Sequence, residues 1–241
     1  MDAALPTLLL PGLACTARLY AAQIPALWQF GPVTVAEHRR DDSIAAIASR
    51  ILAQAPPRFA LIGLSMGGYI AFELLRQASE RVLRLALLDT TARADSAEQS
   101  ERRRGLIERA RGEGFGAIAD LLYPLLVHPD RRDDPHLRGL VRGMAEDTGA
   151  EAFIRQQSAI ISRRDSRPDL AAITCPTLVL VGDADQLTPP ERAQEIAAGI
   201  RGAQLVVVPD SGHLSTLEQP ERVNAALRQW LAPAAIDPSH N

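Results

Sequence analysis

The chain of 241 residues predicts an α/β fold: a mainly parallel sheet of about six strands, with helices on both faces and one helical insertion. Three observations lead to it. Short apolar runs recur along the chain, helical patterns lie between most of them, and one long stretch after the fourth run has no strand pattern. The runs are continuously apolar, not alternating, as strands are when both faces of a parallel sheet are covered.

Taken in order, Thr7 to Leu10 is the first strand, Val33 to Val35 a short second, Phe59 to Ile62 the third, Leu83 to Leu88 the fourth, Thr177 to Val181 the fifth and Gln204 to Val208 the sixth. Helical patterns over Ser43 to Gln54, Gly68 to Gln77 and Glu191 to Ile200 separate them. The last helix, Pro220 to Leu231, opens with Pro in its first turn, where a missing N–H costs nothing. From Thr91 to Asp169 short helical segments are punctuated by Gly112, Gly114, Gly116, Pro124, Pro129, Pro135 and Gly149. The expected organisation is a core of residues 1–90 and 170–234, a helical cap of residues 91–169 packed on it, and a flexible tail of residues 235–241.

Composition narrows the function classes. With 46% hydrophobic and 23% charged residues the chain suits one well-buried domain, and a formal net charge of −3 supplies no basic field for nucleic acid or an anionic membrane. Arg102, Arg103 and Arg104 are read as a solvated helix face. The chain has no lysine, which excludes Schiff-base catalysis, a pyridoxal phosphate anchor and a P-loop. Cys15 and Cys175 stand far apart and no Cys-x-x-Cys or His-Glu-x-x-His pattern exists, so neither a metal, another cofactor nor a disulfide framework is expected. Cys15 reads as a small buried filler. Met1 to Leu10 carries Asp2 and no basic n-region, which points to a cytoplasmic protein. No run approaches the ~20 apolar residues that span a bilayer, and nothing signals an oligomeric state.

One segment carries chemistry. Gly63-Leu64-Ser65-Met66-Gly67-Gly68 fits the G-x-S-x-G elbow, in which a sharp strand-to-helix turn lifts a serine hydroxyl into reach. Gly63 and Gly67 lack a Cβ and let the turn close, and the following helix points its N-terminal N–H groups at the same place. A serine there also fits a plain helix cap, so the rest of the chain must decide.

A nucleophilic serine needs a base, and the chain has five histidines: His38, His128, His136, His213 and His240. His213 lies in Asp210-Ser211-Gly212-His213, between the last strand and the last helix, on the sheet edge where loops from strand carboxyl ends converge. His38, in Glu37-His38-Arg39-Arg40, is read as a surface residue, with a remnant pocket residue as the alternative. The third member is a carboxylate that fixes the imidazole tautomer. Asp183 and Asp185, in the loop after the fifth strand, both qualify, and Asp89 at the end of the fourth strand is a further possibility.

These segments resemble the α/β-hydrolase superfamily, especially its small capped esterases, enol-lactonases and perhydrolase-like members. The matching stretches are Gly63 to Gly68, Pro176 to Gly182 with Asp185 and Thr188-Pro189, and Gly212-His213 followed by Glu218-x-Pro220. The resemblance implies that Ser65, Asp185 and His213 form a catalytic triad, with Asp185 favoured over Asp183 by its spacing from Gly182. It also implies an oxyanion hole from the N–H groups of Leu13 and Met66, and a cap after the fourth strand. The chain departs from the pattern in having Pro11-Gly12 where relatives carry His-Gly, and in lacking Arg-Gly-His-Gly-x-Ser near His38.

The function implied is hydrolysis of a small to medium carboxylic ester through an acyl-enzyme on Ser65. Lactonase, thioesterase or perhydrolase chemistry on the same triad is the alternative, and a non-catalytic ligand-binding version of the fold remains behind both. Leu64, Leu187 and Leu214 are the expected substrate contacts, and the cap offers arginines and Phe153 to a carboxylate-bearing substrate.

Overall fold

The computed structural model describes residues 4–112 and 115–232; the expected tail at 235–241 and the extreme N-terminus lie outside the described residues. Six parallel strands, β1 (Thr7–Leu10), β2 (Val33–Val35), β3 (Phe59–Leu64), β4 (Val82–Leu88), β5 (Thr177–Gly182) and β6 (Gln204–Val208), form one sheet in the order β2-β1-β3-β4-β5-β6. The strand reading holds, with β3 running two residues further, into the elbow itself.

Both faces are covered over the central strands, which is why β1, β3 and β5 are almost wholly apolar, while the edge strands β2 and β6 stay partly exposed. Leu8, Leu10, Leu61, Leu85, Leu87, Val179 and Val181 point to one side, against α2 (Ile44–Gln54), α3 (Met66–Ala78) and α8 (Pro190–Gly199). Leu9, Ile62, Ala86, Leu88, Leu178 and Leu180 point to the other, against α1 (Gln23–Leu27) and α10 (Pro220–Leu231). Each fully buried aliphatic side chain contributes about 1.5–3 kcal/mol relative to exposure. The short α1 carries no periodic signal and is absent from the sequence reading. Ser43 caps α2 by accepting from the Ala46 N–H at 3.2 Å.

Between β4 and β5 the chain is helical: α4 (Ala97–Gly112), α5 (Phe115–Leu126), α6 (Pro135–Thr148) and α7 (Ala150–Ile161). Asp134 caps α6 through the His136 and Leu137 N–H groups, and Gly149, with φ +78°, turns the chain into α7. Pro124 sits inside α5 near its end and does not break it. These helices lie over the carboxyl ends of the strands and roof a cavity there; the short α9 (Ser215–Glu218) follows β6.

Candidate active site

Four non-glycine residues among those described have positive φ, namely Ala14, Ser65, Asp89 and Asp210, and each lies on a loop leaving the carboxyl end of a strand. Backbone strain is therefore collected on one rim of the sheet. At Ser65, φ is +54° and ψ −113°. The turn closes because Gly63 and Gly67 have no side chain: a Cβ on Gly63 would lie 2.4 Å from the Gly67 oxygen, and one on Gly67 2.0 Å from the Leu10 oxygen. The Ser65 N–H donates to Leu88 O at 2.9 Å and its carbonyl accepts from Thr90 Oγ1 at 2.8 Å. The strained residue is pinned from both sides, and its hydroxyl faces the cavity.

The three residues expected to act together are brought together. Ser65 Oγ lies 2.8 Å from His213 Nε2, and His213 Nδ1 lies 2.8 Å from Asp185 Oδ2. Asp185 Oδ1 accepts from the Leu187 and Thr188 N–H groups at 2.9 and 3.0 Å, and Oδ2 also accepts from Thr188 Oγ1 at 2.7 Å. With its acceptor sites filled, the carboxylate is fixed as an ion facing the imidazole. Burial disfavours charge on both groups, but the attraction and hydrogen bond between them prevail: His213 is raised above the ordinary histidine value and Asp185 is held below the ordinary carboxylate value.

The other two acids do different work. Asp183 is exposed and accepts from the Ser211 N–H. Asp89 is buried, accepts from the Gly182 N–H and from Ser215 Oγ, and does not bond to His213. Burial, with Asp185 nearby, pushes its carboxyl up to about 8.

The loop after β1 is tied from two directions. Ala14, with φ +56°, donates its N–H at 3.0 Å to Oε1 of Gln156 on α7. His38 Nε2 lies 3.1 Å from Gly12 O; a carbonyl only accepts, so this nitrogen carries the proton. The reading of His38 as a surface residue is corrected: it is buried beneath this loop, and burial lowers its pKa and keeps it neutral. The N–H groups of Leu13, on the cavity wall, and of Met66, next after Ser65 in the chain, have no protein acceptor among the described residues.

The cavity over Ser65 measures about 450 Å³. Leu64, Leu214 and Phe153 line it as buried residues, Leu13 lines it half-buried, and Leu187 stands exposed at its edge. Cys15 lines it too, but burial pushes its thiol up to about 12, so it carries no thiolate. Arg103 is a second correction. It is half-buried and turned inward onto Asp95, while Arg104 stays in solvent beside Glu101.

A sequence model of the alpha/beta hydrolase family matches residues 5–226. The chain belongs to the α/β-hydrolase family. Pimeloyl-[acyl-carrier protein] methyl ester esterase of Neisseria meningitidis is 26% identical to this hydrolase over 225 residues, which cover 87% of this chain and 85% of that protein. Among solved structures, a thermophilic esterase from Thermogutta terrifontis is 36% identical with a TM-score of 0.85, covering 94% of this chain and 89% of that one. The enol-lactonase from Burkholderia xenovorans LB400 is 27% identical with a TM-score of 0.86, covering 95% and 92%.

Several contacts that build this hydrolase's site have no role in the sequence reading, although Thr188 and Glu218 stand in its matching stretches. The inserted helices grip the histidine loop directly: the His213 and Leu214 N–H groups both donate to Leu126 O, at 3.0 and 3.1 Å. Glu218 accepts from the Gly212 N–H at 2.8 Å and from the His128 N–H at 2.7 Å. Gln156 has no local signal, whereas Thr188, three residues after Asp185, and Glu218, five after His213, both lie in stretches that match the family.

Gln156 yields a prediction. Gln156→Leu strands the Ala14 N–H and frees the strained loop that carries Leu13. A displacement of about 1 Å at a reacting centre costs up to about 10²-fold. The expected result is a fall in kcat of about that size with KM changed far less, measured on a neutral ester, and Gln156→Glu, which keeps the acceptor, recovers part of it.

Proposed function

We propose that the protein is a serine esterase that hydrolyses a small to medium carboxylic ester through an acyl-enzyme on Ser65. The observation that carries this reading is the continuous chain Ser65 Oγ, His213 Nε2, His213 Nδ1, Asp185 Oδ2, with both links at 2.8 Å, opening into a mainly apolar cavity. His213 takes the Ser65 proton as Oγ forms a bond to the ester carbonyl carbon. The Leu13 and Met66 N–H groups hold the resulting oxyanion, an arrangement in which one donor is worth about 3–4 kcal/mol. The carbonyl re-forms, the alcohol oxygen leaves with the proton from Nε2, and a water attacks the acyl-enzyme by the same route, returning the proton to Oγ and releasing the acid.

In this reading residues 91–169 act as a cap over a core of residues 1–90 and 170–234. The support is that the insertion roofs the cavity and bonds to both loops that flank Ser65, through Leu126 and Gln156.

The base must be neutral, and His213 is raised above the ordinary histidine value. Protonation below that raised value removes the base, so kcat/KM for a neutral ester rises with pH along a limb whose apparent pKa lies above about 6.5. A flat profile from pH 5 to 8 contradicts the assignment. Likeness to the enol-lactonase supports ring-opening of a lactone on the same residues as the second reading. A panel of p-nitrophenyl esters of graded chain length, run beside lactones and acyl thioesters, separates the two: the esterase reading expects the highest kcat/KM among the open-chain esters, and a lactone turned over much faster than all of them overturns it.

A further inference from the structure

The cavity over Ser65 is apolar along most of its wall, but one end is built from charge: Asp95, Gln99, Arg102, Arg103, Gln157 and Arg163 all line it. Asp95, closed off from solvent, is clamped by Arg163 Nη1 on Oδ1 and by Arg103 Nε on Oδ2, each at 2.6 Å. Arg163 is almost wholly committed. It also donates to Ile160 O and Arg93 O, and its guanidinium lies 4.2 Å from the centroid of the Tyr69 ring, one helical turn beyond Ser65.

Arg103 is not fully committed. Its Nη1 donates to Gln157 Oε1 at 2.8 Å, and its Nη2 has no acceptor among the described residues. A guanidinium only donates, so Gln157 must turn its oxygen toward Arg103. That orientation leaves Gln157 Nε2 fully buried and without a partner. Two donors without a protein acceptor among the described residues thus stand at the same end of the cavity, the buried Gln157 Nε2 and the solvent-reached, cationic Arg103 Nη2, and an oxygen acceptor suits both. Charge specifies the acceptor further. Arg102, Arg103 and Arg163 are opposed by a single carboxylate, Asp95, among the described residues that line the cavity. A water or a neutral carbonyl would satisfy Gln157 but leave this excess of positive charge unanswered, whereas an anionic oxygen answers both.

We propose that this end of the cavity is a subsite for a substrate carboxylate, held by Arg103 and Gln157, and that the preferred substrates are esters bearing a second, free carboxylate, such as monoesters of dicarboxylic acids. The proposal rests on the esterase reading above. The apolar wall between Ser65 and Arg103 then takes the carbon chain.

The test compares monomethyl and dimethyl esters of adipic and suberic acid, which share chain and leaving group and differ by one charge. The expected kcat/KM is at least about tenfold higher for the monomethyl ester. In Arg103→Gln the ratio of the two falls about tenfold or more, chiefly through KM, while in Arg104→Gln it is unchanged; using the ratio cancels any general loss of activity. A second measurement needs neither variant nor turnover: free adipate protects Ser65 of the wild-type protein from a fluorophosphonate and adipamide does not. Equal or faster hydrolysis of the dimethyl ester, a ratio unmoved by Arg103→Gln, or no protection by adipate each overturns the subsite while leaving the esterase reading intact. If neither ester is hydrolysed and the phosphonate does not label Ser65, the esterase reading fails and the subsite with it.

Discussion

Ser65→Ala is expected to lower kcat on a neutral p-nitrophenyl ester by about 10⁵-fold, with the fold retained as judged by circular dichroism. The size follows from the division of labour. Without Oγ no acyl-enzyme forms, and His213 has nothing to deprotonate at the tip of the turn. What remains is binding in the cavity and the two backbone donors, which in triad enzymes leave a residual acceleration of about 10³–10⁴ over water. Retention of more than a few per cent of wild-type activity contradicts a role for Ser65 as nucleophile.

Asp185→Asn is expected to lower kcat by about 10⁴-fold, and the hydrogen bonds around this residue give the reason. Oδ1 accepts from the Leu187 and Thr188 N–H groups, so in the amide the oxygen must stay on that side. The new NH2 then faces His213 Nδ1 and Thr188 Oγ1, where Oδ2 stood. A donor there forces the lone pair of His213 onto Nδ1 and its proton onto Nε2, so the imidazole points an N–H at Ser65 and can no longer accept. The acid limb of the pH profile moves down as well, because the attraction that raises His213 is lost. Asp183→Asn, on an exposed carboxylate bonded to Ser211, leaves kcat near the wild-type value and serves as the control. Comparable losses in both variants would mean that the acid has been misassigned.

Much of this architecture is legible in the residues because local signals agree with the global fold. A strand buried on both faces has to be almost wholly apolar, and β1, β3 and β5 are; a turn as tight as that at Ser65 needs Gly63 and Gly67, since a Cβ at either would overlap backbone. The Ser, Asp and His loops could be placed on one rim because parallel strands send their carboxyl ends the same way. Contacts between distant segments left no such trace. His38 sits in a charged stretch, and only the packing of the Gly12 loop and Gln156 around it makes it a buried strut. Arg103 stands in a run of three arginines on a strongly polar helix, and only the fold sets Asp95 and Gln157 beneath it. Sequence periodicity reports which face of a helix is apolar; it does not report which polar residue on that helix meets a partner fifty residues away.

The most direct measurement of the central claim is covalent labelling of the intact protein with a fluorophosphonate, followed by mass spectrometry of its peptides. A phosphonate reports an activated serine and requires no knowledge of the substrate. The predicted result is a single adduct on Ser65, formed more slowly as the pH falls through the raised pKa of His213 and absent from His213→Ala. An unlabelled Ser65 in the folded protein, or labelling that proceeds undiminished without His213, would contradict the account.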